Sequence, residues 1–234
     1  MTMIVENAVV CSVCKKESKH PIVLSTNAFG SCDLDTRPPE MQRSTMNCWV
    51  QECPHCGLIA GELNNPVDFD VALLQTEEYK SCDNIPLKSD LARRFYRFYL
   101  INKRSNRPKE AFTAALRAAW ASDDAIDKEG ARACRNAALE RFDALADGVK
   151  SDDTYKLMRV DILRRAGRFD EAARFAESQK FGEELLQKIA AFEIKLARLE
   201  DDQCYTVKDA LNERPQDLEP DDLDDGSLNI SEPD

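Results

Sequence analysis

Two cysteine pairs, Cys11-Ser12-Val13-Cys14 and Cys53-Pro54-His55-Cys56-Gly57, are the residues of this chain whose types and spacing can do chemistry. Two residues between the thiols let one turn of chain direct both sulfurs at a single ion, and two such knuckles complete a tetrahedron. The glycine after the second pair frees backbone amides to approach the sulfurs, and a closed four-thiolate sphere is what structural zinc favours. Two other chemistries share these donors. An iron–sulfur cluster could recruit Cys32, Cys48 or Cys82, and a bare dithiol could serve redox exchange or sensing. The turn-rich surroundings of both pairs lack the strand-and-helix frame that a thioredoxin-like dithiol requires. Zinc held by Cys11, Cys14, Cys53 and Cys56 is therefore the expected cofactor, with an iron–sulfur cluster as the alternative.

Catalytic apparatus is not apparent. The chain has two histidines, His20 and His55, and none of the glycine-rich phosphate loops, nucleophile elbows or His-Glu-x-x-His helices that announce an enzyme. A closed four-cysteine site also leaves no position for an activated water. The expectation is a non-enzymatic protein with no catalytic residues.

The elements that must position the knuckles are short. Strands are expected at residues 8–10, 47–51 and 58–60, in a loop-rich segment that needs a metal to staple it. The 38 residues between the knuckles hold an unusual stretch, 31–44, with Asp33, Asp35, Glu40, Arg37 and Arg43 around Pro38-Pro39. Either it forms a polar site beside the metal or it is a loop pinned by internal Arg–Asp pairs. From residue 68 to 80, Phe69, Ala72, Leu73 and Thr76 recur at helical spacing, and a linker containing Pro86 follows. Ser89 or Asp90 can cap the next helix.

Beyond it the chain reads as repeated helix pairs. Asn106-Arg107-Pro108-Lys109-Glu110-Ala111 ends one helix and starts another, and Ala166-Gly167-Arg168-Phe169-Asp170-Glu171-Ala172 makes the same break 61 residues later. Gly167 suits the left-handed residue that closes a helix, and Pro108 suits the first turn of one. Further helices are expected over 128–146, ended by Gly148, and over 183–200. Gly167, Phe169, Ala172 and Ala176, with Ala111 and Ala115 at the matching points of the earlier pair, are similar to a tetratricopeptide helix pair.

The knuckle near the N-terminus, the Asp33-Leu34-Asp35 loop, the Cys-Pro-x-Cys-Gly knuckle and the helical segment together resemble the bacterial domain-of-unknown-function family 2225. The resemblance implies a metal-ribbon-like head on tetratricopeptide-like helices and no settled activity. The expected fold is mainly α: a zinc-ribbon-like module over 1–65, a short helix and linker over 66–89, a tetratricopeptide-like helical bundle over 90–205, and an acidic disordered tail over 215–234.

Charge and composition bound the function. With 43% hydrophobic and 32% charged residues the chain suits a soluble globular protein. The formal charge is −11, but eight acids and no base follow Arg214, so the body is close to neutral. No signal-peptide pattern and no membrane-length apolar run is present, and nine cysteines in a reducing compartment fit metal ligation better than disulfides. A cytoplasmic protein is expected. Residues 1–62 carry five basic and seven acidic side chains, which disfavours nucleic acid at the head. Arg93, Arg94, Arg97, Lys103, Arg104, Arg107 and Lys109, interleaved with Phe95, Tyr96, Phe98 and Tyr99, form the alternative RNA-binding stretch. Aromatic core packing beneath a solvated basic face is the simpler reading. The leading expectation is a protein-interaction or scaffold module that engages a protein or peptide through Arg93, Arg97, Arg104 and Arg107, with the acidic tail competing for that surface.

Overall fold

The computed structural model describes residues 2–82, 85 and 87–212. The acidic tail and part of the Pro86 linker lie outside the described residues. The N-terminal part contains two small antiparallel ribbons. Strand β1 (Met3–Val10) pairs with β2 (Glu17–Ser25), and β3 (Gln51–Glu52) pairs with β4 (Ile59–Ala60). Helix α1 (Glu40–Arg43) and a 3₁₀ turn at Met46–Cys48 lie between the ribbons; a 3₁₀ segment at Val71–Gln75 and α2 (Glu77–Ser81) follow.

The remainder is helical: α3 (Asp90–Arg104), α4 (Pro108–Asp124), α5 (Lys128–Phe142), α6 (Asp147–Lys150), α7 (Asp153–Arg165), α8 (Phe169–Ser178), α9 (Glu184–Arg198) and α10 (Val207–Leu211). A mainly helical chain with a small stranded head is what the sequence leads one to expect. Local differences have physical reasons. Of residues 47–51, Asn47 and Cys48 finish a 3₁₀ turn, Trp49 and Val50 form a bend, and only Gln51 belongs to a strand. The second strand of the first ribbon was hidden by Pro21, which is tolerated opposite Glu6 because β2 has a partner on one side only. The helix expected over 68–80 is split at Thr76, whose hydroxyl accepts from the Tyr79 amide and caps α2. The helix expected over 128–146 ends at Phe142, and Gly148 lies within the separate short α6.

One device joins successive helices. At Asn106, Ile126 and Gly167 the backbone turns left-handed, with φ of 53°, 55° and 79°. In each case the next amide reaches back five residues: Arg107 to the Asn102 carbonyl, Asp127 to Ser122 and Arg168 to Leu163. These are Schellman closures, and Arg107, Asp127 and Arg168 also serve as the N-cap positions of α4, α5 and α8. A single residue thus ends one helix and begins another, so α3 packs on α4, α4 on α5 and α7 on α8. The middle copy escaped the sequence because isoleucine, being β-branched, is among the least suited residues for that conformation.

The core runs without interruption from the head into the helices. Val9, Cys11, Val50, Leu58, Ile59 and Leu63 belong to the same buried cluster as Phe95, Tyr99, Phe112, Leu116 and Phe142. Phe95, Tyr96 and Tyr99 of α3 are therefore interior side chains. A second cluster puts Leu34 of the 31–44 loop among Leu157, Ile189, Phe192, Leu196 and Ala210. The loop is pinned there by backbone bonds from Leu34 to the Tyr205 carbonyl and from Val207 to the Cys32 carbonyl. Among the described residues, no helix is long and apolar enough to cross a membrane.

Candidate metal centre

The two knuckles are built alike. In the first, the Cys11 amide donates to the Lys16 carbonyl at 3.0 Å and the Lys15 amide to the Cys11 carbonyl at 3.0 Å. In the second, Cys53 donates to Leu58 at 2.8 Å and Gly57 to Cys53 at 2.9 Å. The fifth residue of each turn is left-handed, Gly57 at φ 74° and Lys15 at φ 61°. Glycine adopts that conformation freely, whereas Lys15 must be held in it; its ammonium donates to the Ser12 carbonyl across the same turn at 2.6 Å.

These turns bring together all four of the cysteines expected to ligate. Their sulfurs lie within 4.8 Å of one another, with Cys11 to Cys56 at 3.7 Å and Cys14 to Cys53 at 3.6 Å. A tetrahedral ion with sulfur ligands at about 2.3 Å requires sulfur–sulfur edges of about 3.8 Å. The donor set therefore fits a thiophilic metal ion in both type and spacing. Cys11 and Cys53 are buried, whereas Cys14 and Cys56 are half-buried. Cys32, Cys48 and Cys82 are not part of the four-sulfur group.

The electrostatics separate the thiols. An amide donated by Lys16 draws the Cys14 thiol down to about 7, whereas burial pushes Cys56 up to about 12 and raises Cys53 as well. Four thiolates in contact repel one another, so without a cation the group cannot be fully deprotonated. A divalent ion reverses that balance and releases the protons on binding.

Supports around the ligands come from segments whose role the sequence did not announce. The Tyr79 hydroxyl of α2 donates to the Gly57 carbonyl at 2.7 Å from a buried position. Gln51 accepts the Leu63 amide at 3.0 Å, and Leu63 in turn accepts the Ser12 amide of the first knuckle at 2.8 Å. Arg97 of α3 pairs with Glu52, next to Cys53, at 2.7 Å and lies over the Tyr79 ring. Arg117 of α4 stacks on Trp49 with its charge 5.0 Å from the ring centre. Of these supports the sequence singled out Arg97, for a partner rather than for the centre, and Tyr79 lies within the helical stretch expected over 68–80.

The other singled-out residues are placed differently from one another. Arg93 is bound to Asp90 and Arg107 to Asp68, while Arg104 reaches Glu78 at 2.9 Å. Together with Arg97, all four arginines expected to meet a partner hold carboxylates of their own chain. In the 31–44 loop, Arg43 pairs with Asp33 at 2.6 Å, an internal pair of the expected kind. Asp35, however, is fully buried against the helices, accepting from Trp120 at 2.7 Å and Arg165 at 3.2 Å, and Arg37 reaches Asp124 at 2.5 Å. Protein-family models, curated proteins and solved structures yield no match to this chain.

Proposed function

We propose that this protein is a zinc-stapled protein-interaction module: Cys11, Cys14, Cys53 and Cys56 hold one structural zinc, and tetratricopeptide-like helix pairs present the surface a partner uses. The observation that carries the reading is the four-sulfur group itself, each pair of sulfurs set by its own knuckle turn. A closed sphere suits folding rather than turnover, and the head shares one core with the helices, so a bound ion stabilises the whole chain. We read the protein as non-enzymatic and cytoplasmic, and its resemblance to family 2225 rests on the knuckles and the Asp33-Leu34-Asp35 loop.

The partner surface in this proposal centres on Arg104 and Arg107. Their side chains remain 62% and 42% exposed, and their ion pairs are of the surface kind, worth only about 0–1 kcal/mol. A partner carboxylate can displace such pairs at small cost. Arg93 and Arg97 act more as latches within the chain. Burial of Phe95, Tyr96 and Tyr99 favours a protein partner over single-stranded RNA, because a stacking surface needs accessible rings.

Elemental analysis of the purified full chain tests the metal assignment: one zinc per chain is expected, and serine at Cys56 should release it. Iron with visible absorbance would replace zinc by an iron site, and no metal at all would sink the assignment. Capture of partners by the intact chain, compared with the Arg104→Glu/Arg107→Glu variant, tests the surface; equal capture refutes it.

A further inference from the structure

A second concave site lies away from the four cysteines, where α5 meets the end of α7 and the segment after α9. It is a cavity of about 200 Å³. Its cationic lining is Lys128, Arg132 and Arg135 along one face of α5, joined by Arg165 from the last residue of α7. Arg135 and Arg165 are 2% and 7% exposed. They share Asp123: Arg135 grips both its oxygens at 3.1 and 2.6 Å, and Arg165 reaches one at 2.8 Å while its other amino nitrogen turns to Asp35 at 3.2 Å.

The hydrogen-bond inventory is unbalanced. Two guanidinium groups carry ten N–H bonds, and the contacts to Asp123 and Asp35 use four of them. Both Nε atoms are buried without a partner, and Asp161 stands 3.9 Å from Arg165, beyond hydrogen-bonding reach. The remaining carboxylates of the lining are already committed. Asp127 caps α5 by accepting the Gly130 amide and also accepts the Lys88 amide, and Asp202 pairs with Arg132 at 2.8 Å. Lys128 forms no ion pair among the described residues. The lining itself carries four cations and three carboxylates, with Asp35 and Asp161 behind Arg165.

We propose that this cavity binds a small phosphate-type oxyanion, as the free ion or as a phosphomonoester. Its volume lies below the ~300–1,000 Å³ typical of sites for drug-sized ligands, which limits the ligand to a compact one. The lining cations come from both α5 and α7, and guanidinium forks match phosphate oxygens in pairs. Lys128 and Arg132 at the rim attract the anion. The Arg132–Asp202 pair, an exposed link between α5 and the segment after α9, opens to admit it. This site is independent of the metal centre and does not rest on the interaction-module reading.

The test is calorimetric titration of the full metal-loaded chain with inorganic phosphate, glycerol phosphate and succinate, against chloride at matched ionic strength. Saturable binding of phosphate or its ester is expected, with the tighter of the two identifying the source. Lys128→Ala/Arg132→Ala should weaken it at least 10-fold while leaving the ligand-free melting temperature unchanged, since exposed charges contribute little to stability. Amide resonances of Ala131 and Gln203 should move on binding, and those of the cysteine knuckles should not. No saturation by 10 mM phosphate, equal binding by the double variant, tighter binding of succinate, or shifts confined to α3 would each overturn the proposal.

Discussion

Replacing Glu193 by glutamine should remove a pH dependence of stability that the wild-type chain carries between about pH 4.5 and 8. Glu193 of α9 is fully buried beside Arg164 and Asp161 of α7, all three at 1% exposure or less. Arg164 donates to one Glu193 oxygen at 2.7 Å and to one Asp161 oxygen at 2.6 Å. The other oxygen of each acid has no hydrogen-bond partner. Burial, with Asp161 alongside, raises Glu193 from 4.5 to about 8 despite the arginine. A hydrogen bond with the Asp161 carboxylate favours the protonated form of Glu193. The folded protein therefore keeps a proton that the unfolded chain releases above about pH 4.5. This group's contribution is fully present below pH 4.5, declines as pH rises through 8, and is level beyond it. At 1.36 kcal/mol per unit the interval corresponds to at most about 5 kcal/mol. Glutamine imitates the protonated acid, so the variant should stay within about 1 kcal/mol of wild type at pH 5 and exceed it by about 2–5 kcal/mol at pH 8.5. Urea denaturation followed by far-ultraviolet circular dichroism measures both, and subtracting the two profiles cancels every other titrating group. A constant difference between variant and wild type from pH 5 to 8.5 refutes the retained proton.

Other substitutions probe the supports of the fold and the centre. Ile126→Gly should raise stability by about 1–2 kcal/mol, because the side chain is 85% exposed, so little packing is lost, and the left-handed backbone strains a β-branched residue; a lower melting temperature would contradict this. Tyr79→Phe removes the hydroxyl on the Gly57 carbonyl and should weaken metal retention about 10-fold in a chelator competition while costing about 1–2 kcal/mol. Asp35→Ala leaves buried Arg165 short of a counter-charge and should cost about 3–5 kcal/mol, with limited proteolysis cutting first in the 31–44 loop.

Much of the architecture was legible because it is decided locally. The two-residue spacing within each cysteine pair dictates that both sulfurs face one point, whatever surrounds them. Gly167 and Pro108 announce their turns through backbone preferences that act over four or five residues. Ser89 caps α3 by the same short-range logic, its hydroxyl accepting the Ala92 amide. The left-handed Ile126 shows where that logic stops, since packing of α4 on α5 imposes a turn its own residue resists.

What only the tertiary structure decided is where the charges go. In sequence, Arg135, Asp161, Arg164, Arg165 and Glu193 look like ordinary solvated side chains, Asp35 and Arg37 belong to a loop read as a polar site or as pinned by its own Arg–Asp pairs, and the basic stretch of α3 looks like an open surface. Folding buries most of the first two groups in one network and ties the arginines of the basic stretch to Glu52, Asp68, Glu78 and Asp90. Asp35 and Arg165 are 130 residues apart in the chain. Hydrophobic periodicity is silent about such partners, because a buried charge is tolerated only where a distant opposite charge arrives to meet it.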